Sequence, residues 1–296
     1  MNFITHLQDA GIDHAEVDLN RIGVWQRVPT TDKPDRRNGA IMIFSNRPLR
    51  AWFTNFATAM TGYFSDECEL ASPADLDRLE RTRRDQRSQR ERDHAMAAKA
   101  ARHAWANAEP ADTAHGYLAN KRVVPHGVRQ IGDHLLVPMC ADGRIWSHQT
   151  IAPDGAKRFL AGGRKCGTYF GIGGAPTDVL LLCEGFATGA SLFESLCVPV
   201  AVAFDAGNLV HVGVALRQKY PAAKFIFCGD NDSRTVGNPG VRCATEAATA
   251  TNGIVVAPTF PTGADETALS DWNDYRNRYG AARLRACFAE VFSHAG

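Results

Sequence analysis

Six acidic residues in the second half of the chain stand where they could do metal chemistry: Glu184, Asp205, Asp230, Asp232, Asp271 and Asp274. Each lies at or beyond the end of an apolar run. Glu184 directly follows Val179-Leu-Leu-Leu-Cys183, and Asp205 directly follows Val198-Pro-Val-Ala-Val-Ala-Phe204. Asp230 and Asp232 lie just past Lys224-Phe-Ile-Phe-Cys228, and Asp271 and Asp274 follow Ile254-Val-Val-Ala257 after a loop. Asp230-Asn-Asp232 offers two carboxylates at i and i+2, able to share a divalent cation. Phosphoryl transfer uses such a cluster, because Mg²⁺ holds phosphate oxygens and polarises the attacking or leaving group. Glycines flank the acids (Gly185, Gly207 and Gly229), so turns can form close to a ligand. Asp-x-Asp alone is a weak signal; preceded by Glu-Gly after another apolar strand it is a specific one. Glu184, Asp230 and Asp232 are therefore the candidate catalytic and metal-binding residues. Asp205, Asp271 and Asp274 read either as an outer ring, with Asp205 and Asp274 as further metal ligands, or as ordinary turn acids.

The elements that must position these acids alternate regularly. The four apolar runs are separated by helix-like stretches at about 186–196, 209–220, 239–252 and 280–292. That pattern predicts βα units around a parallel sheet, with the site beyond the carboxyl ends of the strands. Asn208 is placed to cap the helix from Leu209, and Asn238-Pro239 supplies a cap and first-turn proline for the next. Between 127 and 160 the sequence reads as short strands around an Asp142-Gly143 turn. Arg144, Lys157, Arg158, Arg164 and Lys165 belong to this basic region, with Gly162-Gly163 letting backbone approach a phosphate. They are candidates for contact with an anionic ligand; the plainer alternative is a solvated basic hairpin.

Residues 74–109 read as a long helix with no apolar side chain between Arg81 and His94. It is either a solvated connector or a handle on nucleic-acid backbone. Residues 1 to about 70 predict a small antiparallel meander, with strands at Ile22–Trp25, Ala40–Phe44 and Leu49–Phe53. Trp25, Phe44, Trp52, Phe53, Phe56, Tyr63 and Phe64 crowd it. They could stack single-stranded bases, but a small domain needs aromatics for its core, and that is the simpler reading. The expected organisation is a β-rich module at 1–72, a basic helix at 73–110, a basic subdomain at 111–176 and a parallel α/β domain at 177–296. The whole is an α/β fold, α+β in overall arrangement.

Composition excludes other classes. The chain has 296 residues, 45% hydrophobic and 22% charged, with a net charge of +1, which argues against disorder and coiled coil. The near-neutral total hides a polarity. Residues 78–102 carry nine bases against four acids, 121–165 eight against three, and 178–274 five against eleven. Basic blocks suit a polyanion and the acidic block suits a cation. No apolar run approaches the roughly 20 residues of a membrane span. The first residues do not read as a signal peptide, so a cytoplasmic protein with no membrane partner is expected. The eight cysteines form no CxxC or CxxH pair, so no zinc is expected.

At Glu184, Asp230 and Asp232 the chain resembles the Toprim domain shared by DnaG-type primases, type IA and II topoisomerases and some nucleases. Cys183-Glu-Gly-Phe-Ala-Thr-Gly-Ala-Ser-Leu192 is similar to the EGYAT motif of conjugative-plasmid and satellite-phage primases, with Phe186 in place of Tyr. Ala203-Phe-Asp-Ala-Gly-Asn-Leu209, Gly237-Asn-Pro-Gly-Val241 and Asp271-Trp-Asn-Asp274 also resemble that group. Asp142-Gly-Arg144, Lys157-Arg-Phe159 and Thr168-Tyr-Phe-Gly-Ile172 resemble the basic subdomain preceding Toprim in primases. The resemblance covers roughly residues 115–280. It implies a primase making short RNA primers on single-stranded DNA for plasmid, conjugative or phage replication. Asp230 and Asp232 would hold Mg²⁺ or Mn²⁺ and the triphosphate, and Glu184 would ligate metal or help activate the primer 3′-hydroxyl. Gly185, Asn208, Asp271 and the five basic residues would contact nucleotide or template. Two features depart from the pattern: no zinc-ribbon cysteines precede the core, and no P-loop is present. The second implies a separate replicative helicase as partner. The rival readings are a Toprim nuclease and a non-catalytic single-stranded DNA-binding factor.

Overall fold

Alternation of apolar and polar residues at period two, then at period 3.6, sets the elements, and a computed structural model describes residues 2–66, 73–260 and 269–293 of them. Two compact units divide at Gln89 and Arg90. The first opens with α1 (Phe3–Asp9), followed by β1 (Trp25–Val28), β2 (Gly39–Asn46), β3 (Leu49–Asn55) and β4 (Met60–Ser65). These strands form one antiparallel sheet in sequence order. Its inner face packs Val28, Ile41, Ile43, Ala51, Phe53 and Phe64 against Phe3 and Leu7 of α1. Two details differ from the sequence expectation. The first strand begins at Trp25 rather than ending there, and a fourth strand follows the predicted three. Helix α2 (Pro73–Asn107) runs from this unit into the next.

The second unit continues with β5 (Glu109–Pro110), α3 (Gly116–Lys121), β6 (Arg129–Ile131), β7 (His134–Ala141), β8 (Arg144–Ile151) and β9 (Lys157–Phe159). These five strands make an antiparallel sheet in sequence order. Then come β10 (Phe170–Ile172), β11 (Val179–Cys183), α4 (Phe186–Leu196), β12 (Val200–Val202), α5 (Leu209–Lys219), β13 (Lys224–Cys228), α6 (Pro239–Thr251), β14 (Ile254–Val256), α7 (Trp272–Tyr279) and α8 (Ala281–Ser293). The second sheet has the order β10-β12-β11-β13-β14, parallel except for β10, which pairs antiparallel with β12. The segment Thr168–Ile172 therefore belongs to this sheet through its last three residues, although sequence reasoning placed it with the basic subdomain. Strand β11 alternates cleanly. Leu180 and Leu182 pack with α5 and α6 on one face; Leu181 and Cys183 face α4, α7 and α8 on the other. That second face also takes in Leu118, Leu135, Val137 and Met139, so the antiparallel region and the parallel sheet share one continuous core.

Candidate active site

The chain leaves β11 toward β12 on one side and later adds β13 on the other, so the strand order reverses around β11. At such a switch point loops part and a crevice opens beyond the carboxyl ends. Glu184 follows β11, Asp205 follows β12, and Asp230 and Asp232 follow β13. Burial pushes the Glu184 carboxyl up to about 7, helped by the charges of Asp232 and Asp205 and opposed by a hydrogen bond from the Ala206 amide. Burial likewise raises Asp230 well above the usual carboxylate range, with Glu184, Asp271 and Asp232 adding to it and Lys157 pulling the other way. Glu184 Oε1 and Asp230 Oδ1 are buried without a hydrogen-bond partner. The acids named from the sequence at these strand ends thus act on one another across a single crevice. Among the described residues, no three His, Cys, Asp or Glu side chains form a ready-made ligand set. The two orphaned oxygens are what fits a cation, because buried like charges without partners are costly until a positive charge offsets them.

The DxD loop is held by residues that sequence reasoning did not single out. The Asn231 amide donates to Ser270 O at 2.7 Å, and its side chain donates to Pro258 O at 2.9 Å and accepts from Asn238 Nδ2 at 2.9 Å. Asn231 is thereby turned away, between the two aspartates. Gly240, in the first turn of α6, lies against the same loop: a Cβ there would stand 2.3 Å from Asp230 O. The glycine lets α6 start directly beneath the aspartates. Asn238 does not cap α6 with its side chain: its backbone is left-handed (φ 38°) rather than extended, its Nδ2 donates to Asn231, and its Oδ1 is buried without a partner.

Asp205 acts as a cap, at the 3-10 turn ahead of α5, and Asn208 does not. Asp205 Oδ1 accepts from the Asn208 amide at 3.0 Å and caps the short 3-10 turn, while Asp205 also pairs with Lys165. Asn208 makes no side-chain cap for α5. Its buried side chain instead ties three segments, donating to Thr168 O at 2.9 Å and Ala203 O at 2.8 Å and accepting from the Gly167 amide at 2.8 Å. Asp271 caps α7, its Oδ1 accepting from the Asp274 amide at 2.7 Å. Burial and the neighbouring Asp274 raise the Asp271 pKa, against the pull of the Asp274 and Asn273 amides and of Lys121. Asp274 turns outward from the cluster: Oδ2 accepts from the Ser270 amide at 3.2 Å and Oδ1 lies 3.8 Å from Lys121 Nζ. Its work is to close the cap of α7, whereas Asp271 shares the crevice with Glu184 and Asp230.

The basic residues divide. On β9, Lys157 and Phe159 share one face and Arg158 takes the other. The Lys157 amine lies beside Gly185, the N-cap of α4, and 5.8 Å from the Tyr117 ring centre. Burial lowers its pKa, while Asp271 and Asp230 act to raise it. Phe159 meets Phe204 at 6.4 Å, with the Lys165 amine 5.5 Å from its own ring centre. Arg164 stacks over Trp146 at 4.9 Å and donates to Cys166 O at 3.0 Å. Arg144, at the start of β8, and Arg158 are exposed and do not figure among the main charges acting on the carboxylates. Lys157 and Lys165 therefore border the acids, and Arg144 and Arg158 do not. Lys121 is an additional cation at the site; it ends the short helix α3, where nothing in the sequence marks it out.

Residues 179–282 match the family model of the Toprim domain. Two curated relatives, each a DNA primase TraC from Escherichia coli, are 38% identical over 159 and 128 residues. These matches take in 50% and 40% of this chain but only 15% and 9% of the relatives, so the chain spans a small part of their length. Among solved structures, the DnaG primase catalytic domain bound to ssDNA aligns with a TM-score of 0.45 at 12% identity, covering 69% of this chain and 80% of that one. No helix among the described residues is long and apolar enough to cross a membrane.

Proposed function

With residues 179–282 as a Toprim domain, we propose that the chain is a DNA primase that makes short RNA primers on single-stranded DNA by metal-dependent nucleotidyl transfer. The observation that carries the reading is the group of buried carboxylates at the switch point, with Glu184 Oε1 and Asp230 Oδ1 lacking partners. Glu184, Asp230 and Asp232 would hold Mg²⁺ or Mn²⁺, which when bound supplies charge neutralisation for a triphosphate and polarises a 3′-hydroxyl. Glu184, whose carboxyl is raised to about 7 before a cation binds, would either join that ligand set or help activate the hydroxyl. Asp271 sets the depth of negative charge behind Asp230, and Lys157 and Lys165 balance it at the rim. Those two amines, with Arg164, would meet triphosphate or template phosphate. Arg144 and Arg158 would touch template only farther from the reacting atoms. A separate helicase would expose the template, in plasmid, conjugative or phage replication.

The test is incubation with single-stranded DNA, labelled nucleotides and Mg²⁺ or Mn²⁺. Labelled oligomers are expected from the wild type and none from Glu184→Gln or Asp230→Asn. Wild-type yield from either variant overturns the assignment. A shortened template would instead make the protein a nuclease, and a gel shift without products would make it a binder.

A further inference from the structure

The outer face of the N-terminal sheet carries a second feature unconnected with the carboxylates. Trp25 pairs with Met42, Met42 with Trp52, and Trp52 with Tyr63, so four large side chains form one row across all four strands. Directly paired residues point to the same side, and neighbouring strands lie about 4.8 Å apart. Trp25 is 43% exposed, Trp52 40% and Tyr63 52%, while Met42 fills the row between the two indoles. Phe44 joins this face, its ring 6.4 Å from that of Tyr63. The next row is Arg27, Ala40, Thr54 and Thr61, small residues with an arginine at one end. The Arg27 guanidinium lies 4.6 Å over the exposed Phe56 ring. On the far side of the aromatic row, Arg50 pairs with Ser65. The four strands contain two arginines and no Asp or Glu.

We propose that this face binds single-stranded nucleic acid, its bases stacking on Trp25, Trp52 and Tyr63 and its phosphates passing Arg27, whose Nε and Nη2 donate to Arg37 O with the rest of the guanidinium exposed. The core of the unit explains only the inner aromatics, Phe53 and Phe64. Three large rings left about half-exposed on one face of a sheet need a partner, since exposed apolar surface of this kind is a cost unless it binds something. Flat rings in one row, with an arginine beside them, match what an unpaired base and its phosphate need together. The surface holds the strand through stacking, so most of its affinity is insensitive to base identity and less sensitive to salt than a purely ionic contact. The inference goes beyond the primase reading and does not depend on it, because the face is built from residues that play no part in the carboxylate site.

The test uses the full chain and a fluorescein-labelled oligothymidylate, read by anisotropy without nucleotides or divalent metal. Trp25→Ala and Trp52→Ala should each weaken binding about tenfold, as expected for loss of one base stack. Trp52→Phe should retain most of the affinity, and Val214→Ala, on the exposed side of α5 in the second unit, should bind as the wild type does. Retained affinity in both alanine variants overturns the proposal. Because an alanine variant can fail to fold, the wild type and Trp52→Phe are also compared by intrinsic tryptophan emission. Quenching by the oligonucleotide that is reduced in Trp52→Phe supports the proposal, and identical quenching overturns it. A dimer at micromolar concentration that Trp52→Ala dissociates, with oligonucleotide binding unchanged, would give the face to a second copy instead. Binding that falls in the tryptophan variants and not in Val214→Ala leaves this surface standing whatever becomes of the catalytic assignment.

Discussion

At the scale of single residues, the acids at the strand ends trade stability for chemistry. Asp230 is buried, faces other carboxylates and has an oxygen without a partner. In EDTA at neutral pH, Asp230→Asn should therefore raise the thermal stability, because the amide carries no charge to bury beside Glu184, Asp271 and Asp232. Calorimetry checks this, and a lowered midpoint would contradict it. The same electrostatics fix a pH dependence. Glu184 is raised from 4.5 to about 7, so the native state binds the extra proton through that window. Metal-free stability should fall as pH rises from about 4.5 through about 7, and Glu184→Gln should flatten that slope. Gly240 makes an opposite kind of prediction. A methyl group placed 2.3 Å from Asp230 O must push α6 and the DxD loop apart. Gly240→Ala should cost about 1–3 kcal/mol in urea unfolding and abolish the proposed primer synthesis, although residue 240 carries no functional group.

At the scale of elements, the site depends on how α7 is fastened. Asn273, fully buried, donates to Lys121 O at 2.7 Å and to Ser191 Oγ at 2.8 Å; Arg276 donates to Arg122 O at 3.0 Å. Arg276 also pairs with Glu194 of α4 at 2.7 Å, and Glu194 accepts from the Val124 amide at 2.9 Å and meets His126 at 2.8 Å. Burial would raise the Glu194 pKa, but the His126 hydrogen bond, the Val124 amide and Arg276 outweigh it and bring it below the ordinary value. Glu194→Gln should cost about 1.5–3 kcal/mol at pH 7, as loss of a charge-assisted bond does. A depressed acid gives stability above its unfolded pKa and loses it on acidification, so the gap between wild type and variant should close below pH about 4. Parallel urea titrations at pH 7 and at about pH 3 measure it. None of this clamp was legible in the sequence, because Glu194, His126 and Arg276 are far apart in the chain and each reads as an ordinary surface residue. The parallel strands and their helices were legible, since continuous apolar runs admit few alternatives. So were the strand-end acids, because chain order maps directly onto sheet edge in a βα fold. Strand β4 was missed because Met60-Thr-Gly-Tyr63 has little apolar content. Gly62 is there to make room for the Phe53 ring, whose Cζ would stand 2.3 Å from a Cβ. The split of Lys157 from Arg158 was missed for a similar reason: strand periodicity decides it, and a three-residue strand shows no period.

At the scale of the whole molecule, charge and core are partitioned together. The acids that matter sit over the parallel sheet of the second unit, Lys157 and Lys165 reach them from the adjoining basic region, and the aromatic row belongs to the first unit alone. The cores follow the same division. Phe3, Leu7, Ile41, Phe53 and Phe64 form one cluster, and no member of it belongs to the two clusters that flank the parallel sheet. Separate cores unfold separately when few buried contacts join them, so each unit should carry its own opening free energy. Phe53→Ala removes a ring from the first core and should cost that unit about 3–5 kcal/mol. Hydrogen exchange followed by mass spectrometry then distinguishes the outcomes. Amides of β1 to β4 should lose protection by two orders of magnitude or more, roughly the factor that such a cost implies. Amides of β11 and β13, beneath the carboxylates, should exchange as in the wild type. Equal loss in both regions would mean that the chain opens as one cooperative body. It would follow that a change on the aromatic face also alters the carboxylate site through stability, and the two surfaces could no longer be varied independently.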